Sequence, residues 1–282
     1  MTSDNYVLCD VGWIFRLSAT LYRLLPRVLR NSAKIAHYAS VNVAKLMPSG
    51  RAIVNTAGGK MCITPRHPAD LQRAWGVWEI DLQSFIKKTL KNGHVFIDCG
   101  AHRGTYTIMA SNLVGSSGKV ISIEPFQDHF ECLKFTAEQS LYDNISLVNA
   151  ACGSTSGRAM FSEQERHIDE IGISVECVAL DDVVSKADFI KIDTDGRELD
   201  ILKGAKKLIQ NGAQTIVEFS DFQYQSLDVL WRDAHTFMAE LGCRPYVIRK
   251  DGSLGPEVYT VDEIKDRHVL FRNVNSPLEN VV

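Results

Sequence analysis

From residue 93 onward the apolar positions of this chain fall into short runs separated by longer segments with helical spacing. The runs at 95–98, 120–124, 145–149, 189–193 and 215–219 have strand length and are rich in Val, Ile and Phe, the composition of strands covered on both faces. Between them, 105–113 is helix-like. The segment after Asp128 puts Phe130, Leu133 and Ala137 on one face, and the segment after Glu198 turns Leu199, Leu202 and Ile209 inward before Asn211-Gly212 stops it. Asp128 and Glu131 have the spacing of a capping box. Strand and helix in alternation predict an α/β fold, a Rossmann-like, mainly parallel sheet with helices on both faces. Segments 246–249 and 269–272, around the Asp251-Gly252 turn, read as late antiparallel additions. Residues 153–187 break the alternation, and the alternating stretch Val175-Glu176-Cys177-Val178-Ala179 predicts an insertion with short strands of its own.

The first ninety residues follow a different rhythm. Residues 13–30 read as a helix that Pro26 kinks or ends, with Arg16, Arg23, Arg27 and Arg30 on one face. That face suits either a membrane-surface helix or a helix packed on the main domain with solvated arginines. Residues 51–64 predict a hairpin turning at Gly58-Gly59, and 75–90 a helix carrying Trp78, Leu82, Phe85 and Ile86. The expected organisation is an N-terminal helical extension (1–50), a hairpin and helix cap (51–90) and a main domain (91–275) containing the 153–187 insertion.

Composition narrows the function classes. The chain has 282 residues, 45% apolar and 23% charged, with a net charge of −3. That is an ordinary globular balance with no electrostatic case for a nucleic-acid partner. The seven cysteines never lie closer than twenty residues, which argues against a disulfide scaffold or a four-thiolate zinc site and fits a reducing compartment. No apolar run is long enough to span a bilayer, so a cytoplasmic protein is expected, with peripheral membrane contact through 13–30 as the alternative.

Chemistry concentrates at the strand ends. Asp98, Glu124, Asn149, Asp193 and Glu218 close the five central runs, and ligands of open parallel sheets bind at that edge. After the first run come Cys99-Gly100-Ala101-His102-Arg103-Gly104 and a helix, a turn whose glycines let backbone N–H groups approach a ligand. A dinucleotide fingerprint would place three glycines here, but Asp98 holds its first position, where a carboxylate opposes a pyrophosphate and suits a cationic ligand. S-adenosylmethionine fits. Its ammonium and sulfonium suit the acid, its carboxylate a helix N-terminus, and its ribose hydroxyls the Glu124 carboxylate. A NAD-dependent oxidoreductase and a non-catalytic cofactor-binding or membrane-associated module are the rival readings.

Ordered landmarks sharpen this. Gly76-Val77-Trp78-Glu79, the turn at 95–104, Glu124-Pro125-Phe126, Asn149-Ala150-Ala151-Cys152-Gly153, Leu180-Asp181-Asp182, Ile190-Lys191-Ile192-Asp193-Thr194-Asp195-Gly196-Arg197-Glu198 and Leu202-Lys203-Gly204-Ala205 together resemble a class I S-adenosylmethionine-dependent methyltransferase, more narrowly the FkbM family, over residues 50–272. Two positions depart from the family pattern: Asp195 stands where Glu is usual and His102 where Asn is usual. The resemblance implies a seven-stranded sheet and O-methylation of a hydroxyl on a small molecule, sugar, secondary metabolite or lipid-linked acceptor. It also implies that Glu79, Asp98, Gly100, Ala101 and Gly104 hold the amino-acid end of the cofactor, Glu124 and Pro125 the ribose, and Asn149, Ala150 and Ala151 the adenine, with Asp193 beside the methyl donor.

Methyl transfer to oxygen needs an aligned acceptor and a base. Asp193 leads for that role, with Asp195, Glu198 and Glu218 as competitors. His102 is a further candidate on its unperturbed pKa, ahead of His167 in the insertion. Asp193, Asp195 and Glu218 also form an oxygen set able to hold a divalent cation.

Overall fold

The computed structural model describes residues 12–24, 32–161, 173–194, 196–219, 227–264 and 267–274. Helices α1 (Gly12–Leu24) and α2 (Ala33–Ala44) precede the hairpin β1 (Ala52–Asn55) and β2 (Lys60–Ile63), then α3 (Pro68–Trp75) and α4 (Ile80–Thr89). The alternating part begins with β3 (Val95–Cys99), α5 (Thr105–Val114), β4 (Lys119–Ile123), α6 (Gln127–Ala137) and β5 (Ile145–Val148). Strands β6 (Ala151–Cys152), β7 (Gly157–Phe161) and β8 (Ile173–Val178) form a small sheet of order β6-β8-β7, followed by α7 (Leu180–Val183). The chain then runs through β9 (Phe189–Ile192), α8 (Glu198–Gly204), α9 (Lys206–Gln210), β10 (Gln214–Phe219), α10 (Leu227–Glu240), β11 (Cys243–Ile248), β12 (Leu254–Glu257), α11 (Val261–Ile264) and β13 (Arg267–Asn273).

The main sheet has the order β12-β11-β13-β10-β9-β3-β4-β5. Strands β10, β9, β3, β4 and β5 are parallel, and β13, β11 and β12 are antiparallel. The family resemblance implies seven strands in this sheet. Among the described residues the main sheet has eight, because Gly252, at φ +75°, turns the chain back and adds the short edge strand β12 to β11. Successive chain segments build outward from β3 to β4 and β5 on one side and from β9 to β10 on the other. The β3–β9 junction is therefore the topological switch point, where this class of sheet opens a crevice.

Strand periodicity assigns the two faces. Phe96, Val120, Phe189, Ile216 and Leu270 pack with Leu82, Phe85 and Ile86 of α4 and Tyr106 of α5. Their neighbours Ile97, Ile121, Ile190 and Val217 pack with Ile201, Leu202, Trp231 and Met238 of the opposite helices.

Several local expectations are corrected. The helix expected over 75–90 is two helices. Gly76 adopts a left-handed φ of 77° and caps α3 by donating to the Arg73 and Gln72 carbonyls, and the apolar spacing belongs to α4. The capping box does not form. Asp128 instead accepts from Arg51 at 2.7 Å, and Glu131 accepts from Gln127 and pairs with Lys134. A disulfide joins Cys99 to Cys152, a pairing the cysteine spacing does not signal.

Helix α1 buries Phe15, Ala19 and Tyr22, the last stacked on Trp75, and exposes Leu17, Leu21 and Leu24. The expected basic face lies outside the described residues, since the side chains of Arg16 and Arg23 and all of residues 25–31 fall there. No helix among the described residues is long and apolar enough to cross a membrane. The segment 51–75 packs on the turn after β3: the Cys62 amide donates to Thr136, whose hydroxyl reaches the Arg103 carbonyl, and buried Asp70 accepts from Arg103 and Arg73.

Candidate active site

The turn after β3 is shaped by backbone crowding. Gly100 has φ +79°, and a Cβ there would strike the carbonyl oxygen of Asp193, while a Cβ on Gly104, at φ +91°, would meet Leu133 and Thr136 at 2.9 Å. Only glycine brings the β3 and β9 ends this close. Asp98 precedes the turn and is fully buried. Its Oδ2 accepts from the Thr107 hydroxyl at 2.7 Å, which leaves Ser122 to donate to Thr107 at 2.9 Å. Its Oδ1 is buried and has no hydrogen-bond partner, an acceptor left for a ligand to satisfy. Burial raises the Asp98 pKa against the lowering effect of Lys191.

Lys191 is the centre of the arrangement. It sits in β9 in register with Asp98, so the two side chains share a face. Its Nζ lies 3.0 Å from Asp193 Oδ2, 3.7 Å from Asp98 Oδ1 and 5.0 Å from the centre of the Tyr106 ring. Burial alone would favour its neutral amine, but Asp193, Asp98 and Glu79 more than offset that and hold the ammonium above its ordinary range. Burial would likewise raise Asp193, yet the Lys191 charge and hydrogen bonds with Glu218 and Lys191 hold it at about 2. Glu218 moves the opposite way, first because of the Asp193 charge and then because of burial. The pair is thus one ionised carboxylate hydrogen-bonded to one carboxyl that keeps its proton.

Glu79 opens α4 with a left-handed φ of 42° and accepts from the Tyr106 hydroxyl at 2.6 Å. Glu124 is buried, with its two oxygens taking the amides of His102 (2.8 Å) and Phe126 (3.0 Å). Each oxygen keeps a second lone pair for a hydroxyl. Asn149 donates to the Glu124 and Pro125 carbonyls, which ties the ends of β4 and β5 together. Beyond them opens a cleft of about 560 Å³, lined by Pro125, Phe126, His129, Asn149, Arg158 and Glu176 among others.

The strand-end logic therefore brings Asp98, Gly100, Asp193, Glu218 and Glu79 together, with Ala101, Gly104, Glu124, Pro125, Asn149, Ala150 and Ala151 along the same edge. It does not bring Glu198 in as a free base. That carboxylate is fully buried and accepts from the Gly196 amide and the Thr194 hydroxyl, which pins the loop. Asp195 and His167 lie outside the described residues. Sequence reasoning missed Lys191, Tyr106, Thr107 and His268 as site residues. Lys191 carried a signal, a lone cation inside an otherwise apolar run.

His102 takes a left-handed φ of 51°. Its Nε2 accepts from Arg103 at 3.2 Å, and its ring lies 4.0 Å from that of His129. Burial first, then the charges of Arg73, His129 and Arg103, depress its pKa well below 6.5. Folded His102 stays neutral while the unfolded chain takes up a proton near 6.5, so its contribution to stability is lost as pH falls below that value. His102→Asn keeps a residue that tolerates the left-handed turn and removes the linkage. Urea unfolding at pH 7 and pH 5 is expected to show the wild type losing stability relative to the variant, by up to about 1.4 kcal/mol per pH unit.

An open sheet with its switch point between β3 and β9, a glycine turn there and an acid at the next strand end are features of the class I, Rossmann-like methyltransferase fold. Residues 98–245, more than half of the chain, match the methyltransferase FkbM domain, and the chain belongs to that family. It is 29% identical over 140 residues to a probable cobalt-precorrin-6B C(15)-methyltransferase (decarboxylating) of Sulfurisphaera tokodaii, a match covering 50% of this chain and 60% of that relative. Among solved structures it is similar to a methyltransferase FkbM from Methylobacillus flagellatus KT (20% identity, TM-score 0.44, 63% of this chain and 43% of that one). It is also similar to Aeropyrum pernix fibrillarin with natively bound S-adenosyl-L-methionine (14% identity, TM-score 0.43, 68% and 73%). The chain thus spans less than two thirds of the curated relative and of the FkbM structure. The cofactor that family membership brings is S-adenosylmethionine, and the orphaned Asp98 oxygen and the glycine cradle fit it.

Proposed function

We propose that this protein transfers a methyl group from S-adenosylmethionine to a hydroxyl oxygen of a small-molecule, sugar or lipid-linked acceptor, with Asp193 as the general base. The observation that carries the reading is the Asp193 carboxylate. The backbone carbonyl of Asp193 abuts Gly100 of the glycine turn at the end of β9, and Lys191, 3.0 Å from the carboxylate, keeps it ionised.

The bound cofactor supplies an electrophilic methyl on a sulfonium. Asp98, Gly100, Ala101, Gly104 and Glu79 hold its amino-acid end, Glu124 and Pro125 its ribose, and Asn149, Ala150 and Ala151 its adenine. Burial of Asp98 removes water from around the cationic end and strengthens the attraction. Asp193 accepts the hydroxyl proton as the oxygen attacks, and Lys191 fixes where that carboxylate points.

Calorimetry with S-adenosylhomocysteine tests the cofactor part: micromolar binding is expected, with no response to NAD, and silence at high micromolar ligand would sink it. Product analysis after incubation with a labelled donor and a panel of alcohols and sugars tests the acceptor part. Label on oxygen is expected, and label found only on carbon or nitrogen overturns the hydroxyl reading.

A further inference from the structure

His268 of β13 stands opposite Glu218 of β10 in the antiparallel register, and Glu79 reaches the same point from the start of α4. One ligand atom from each of the three lies within 4.8 Å of the others. His268 is only 5% exposed. Its Nδ1 lies 3.4 Å from Asp81 Oδ2. Its Nε2 is buried with no hydrogen-bond partner and lies 3.7 Å from Glu79 Oε2. Metal-binding histidines are oriented in this way, with one ring nitrogen tied to a carboxylate and the other left bare.

The backbone and the charge balance point to the same spot. Glu79, whose carboxylate lies there, has a left-handed φ of 42°, unusual for a residue with a side chain. Glu79, Asp81, Asp98 and Asp193 face the ammonium of Lys191 and the imidazole of His268, and Lys191 is already engaged by Asp193 and Asp98. The acid surplus is what a dication neutralises. The oxygen set expected from the sequence is thereby changed: Asp193 is committed to Lys191, Asp195 lies outside the described residues, and Glu218 is joined instead by Glu79 and His268.

We propose that Glu79, Glu218 and His268 bind one divalent transition-metal ion of mixed oxygen and nitrogen preference, of the Mn²⁺ or Zn²⁺ kind. Asp81 is the positioning residue that holds the imidazole for it. The three protein ligands leave coordination positions open for an oxygen of the acceptor. The placement beside the reacting atoms rests on the methyl-transfer reading, whereas ion binding itself does not. Glu218 gives up its proton as the ion binds, and His268 coordinates as the neutral imidazole, releasing the Nε2 proton that its cationic form carries.

The test uses the full chain, stripped with a chelator and titrated with Mn²⁺, a hard cation that binds thiolates weakly, while the free-ion electron paramagnetic resonance signal is followed. One ion per chain is expected, with nitrogen coupling from a coordinated imidazole in the spin-echo spectrum. His268→Gln and Glu218→Gln are each expected to weaken binding at least about tenfold, with the nitrogen coupling lost in the former, and Asp81→Asn to weaken it about 10–100-fold. Absence of Mn²⁺ binding by the wild type, binding without nitrogen coupling, or affinity unchanged in Asp81→Asn overturns the site, and the wild-type readouts decide even where a variant fails to fold. S-adenosylhomocysteine calorimetry on the same metal-free protein separates the two readings. Cofactor binding without ion binding refutes only the metal site, and ion binding without cofactor binding refutes only the methyl-transfer reading.

Discussion

Lys191→Met is expected to lower the stability of the fold by about 3–5 kcal/mol at neutral pH, the usual cost of removing one partner from a buried ion pair. Methionine matches the length and bulk of the lysine stem, so packing against Tyr106 survives and the charge is what is lost. Asp98, 1% exposed, and Asp193, 3.0 Å from the ammonium, are then left as neighbouring carboxylates with no cation between them. Both must either stay ionised in a poor environment or take up protons. The pH dependence follows from that choice. In the wild type the Asp193 pKa of about 2 lies below its ordinary 3.8, so its contribution is present above 3.8 and is lost as pH falls from there toward 2. In the variant the folded-state values of both acids rise above their unfolded values, and stability is lost as pH rises through them. The deficit is therefore largest at neutral and alkaline pH and shrinks toward pH 4. Thermal or urea unfolding across that range checks it, with a fall in Tm on the order of 10 °C at neutral pH. Equal stability of the two proteins at pH 7 would show that Lys191 contributes only its stem.

The same residue shows where reading the sequence stops. The five parallel strands were legible because a strand covered on both faces must be apolar along its whole length, and few other elements are both that short and that apolar. Their polar ends were legible for the same reason: Asp98, Glu124 and Asp193 stand out where an apolar run stops. Gly100 and Gly104 could be placed because a tight turn toward a ligand needs them. Lys191 and His268 could not be assigned a role in this way, since each acquires its role from register. Lys191 meets Asp98 because β9 pairs with β3 at that offset, and His268 meets Glu218 because β13 runs antiparallel to β10. Pairing offsets between segments far apart in the chain are set by the whole sheet and leave no local mark. The break at Gly76 did leave one, a glycine inside a helical window, but the apolar spacing of Trp78, Leu82, Phe85 and Ile86 outweighed it. The His102 signal was ambiguous for a different reason. An imidazole beside a cofactor turn has suitable chemistry in water, and only its packing against His129, Arg73 and Arg103 shows that its pKa falls.

Asp193→Asn is expected to lower kcat by about 10²–10⁴ with any hydroxyl acceptor that supports turnover, the range for removing a general base. The affinity for S-adenosylhomocysteine is expected to change by less than about tenfold, because the backbone at Gly100 and the Asp98 carboxylate remain in place. A role limited to structure would instead lower cofactor affinity and stability together. In the wild type, Asp193 is ionised at every pH well above 2, so loss of this base does not set the acid limb of kcat/KM near neutrality. The amide also changes its neighbour. Glu218 keeps its proton chiefly because of the Asp193 charge, and once that charge is gone its carboxyl ionises more readily. It then becomes a poorly placed substitute, and part of the remaining activity of Asp193→Asn comes from it. Adding Glu218→Gln to Asp193→Asn is therefore expected to remove activity that the single variant retains. The same change made with Asp193 intact leaves the ionised carboxylate and its Lys191 contact in place and costs less. A double variant no slower than Asp193→Asn alone would show that the two carboxyls do not share the proton-accepting role.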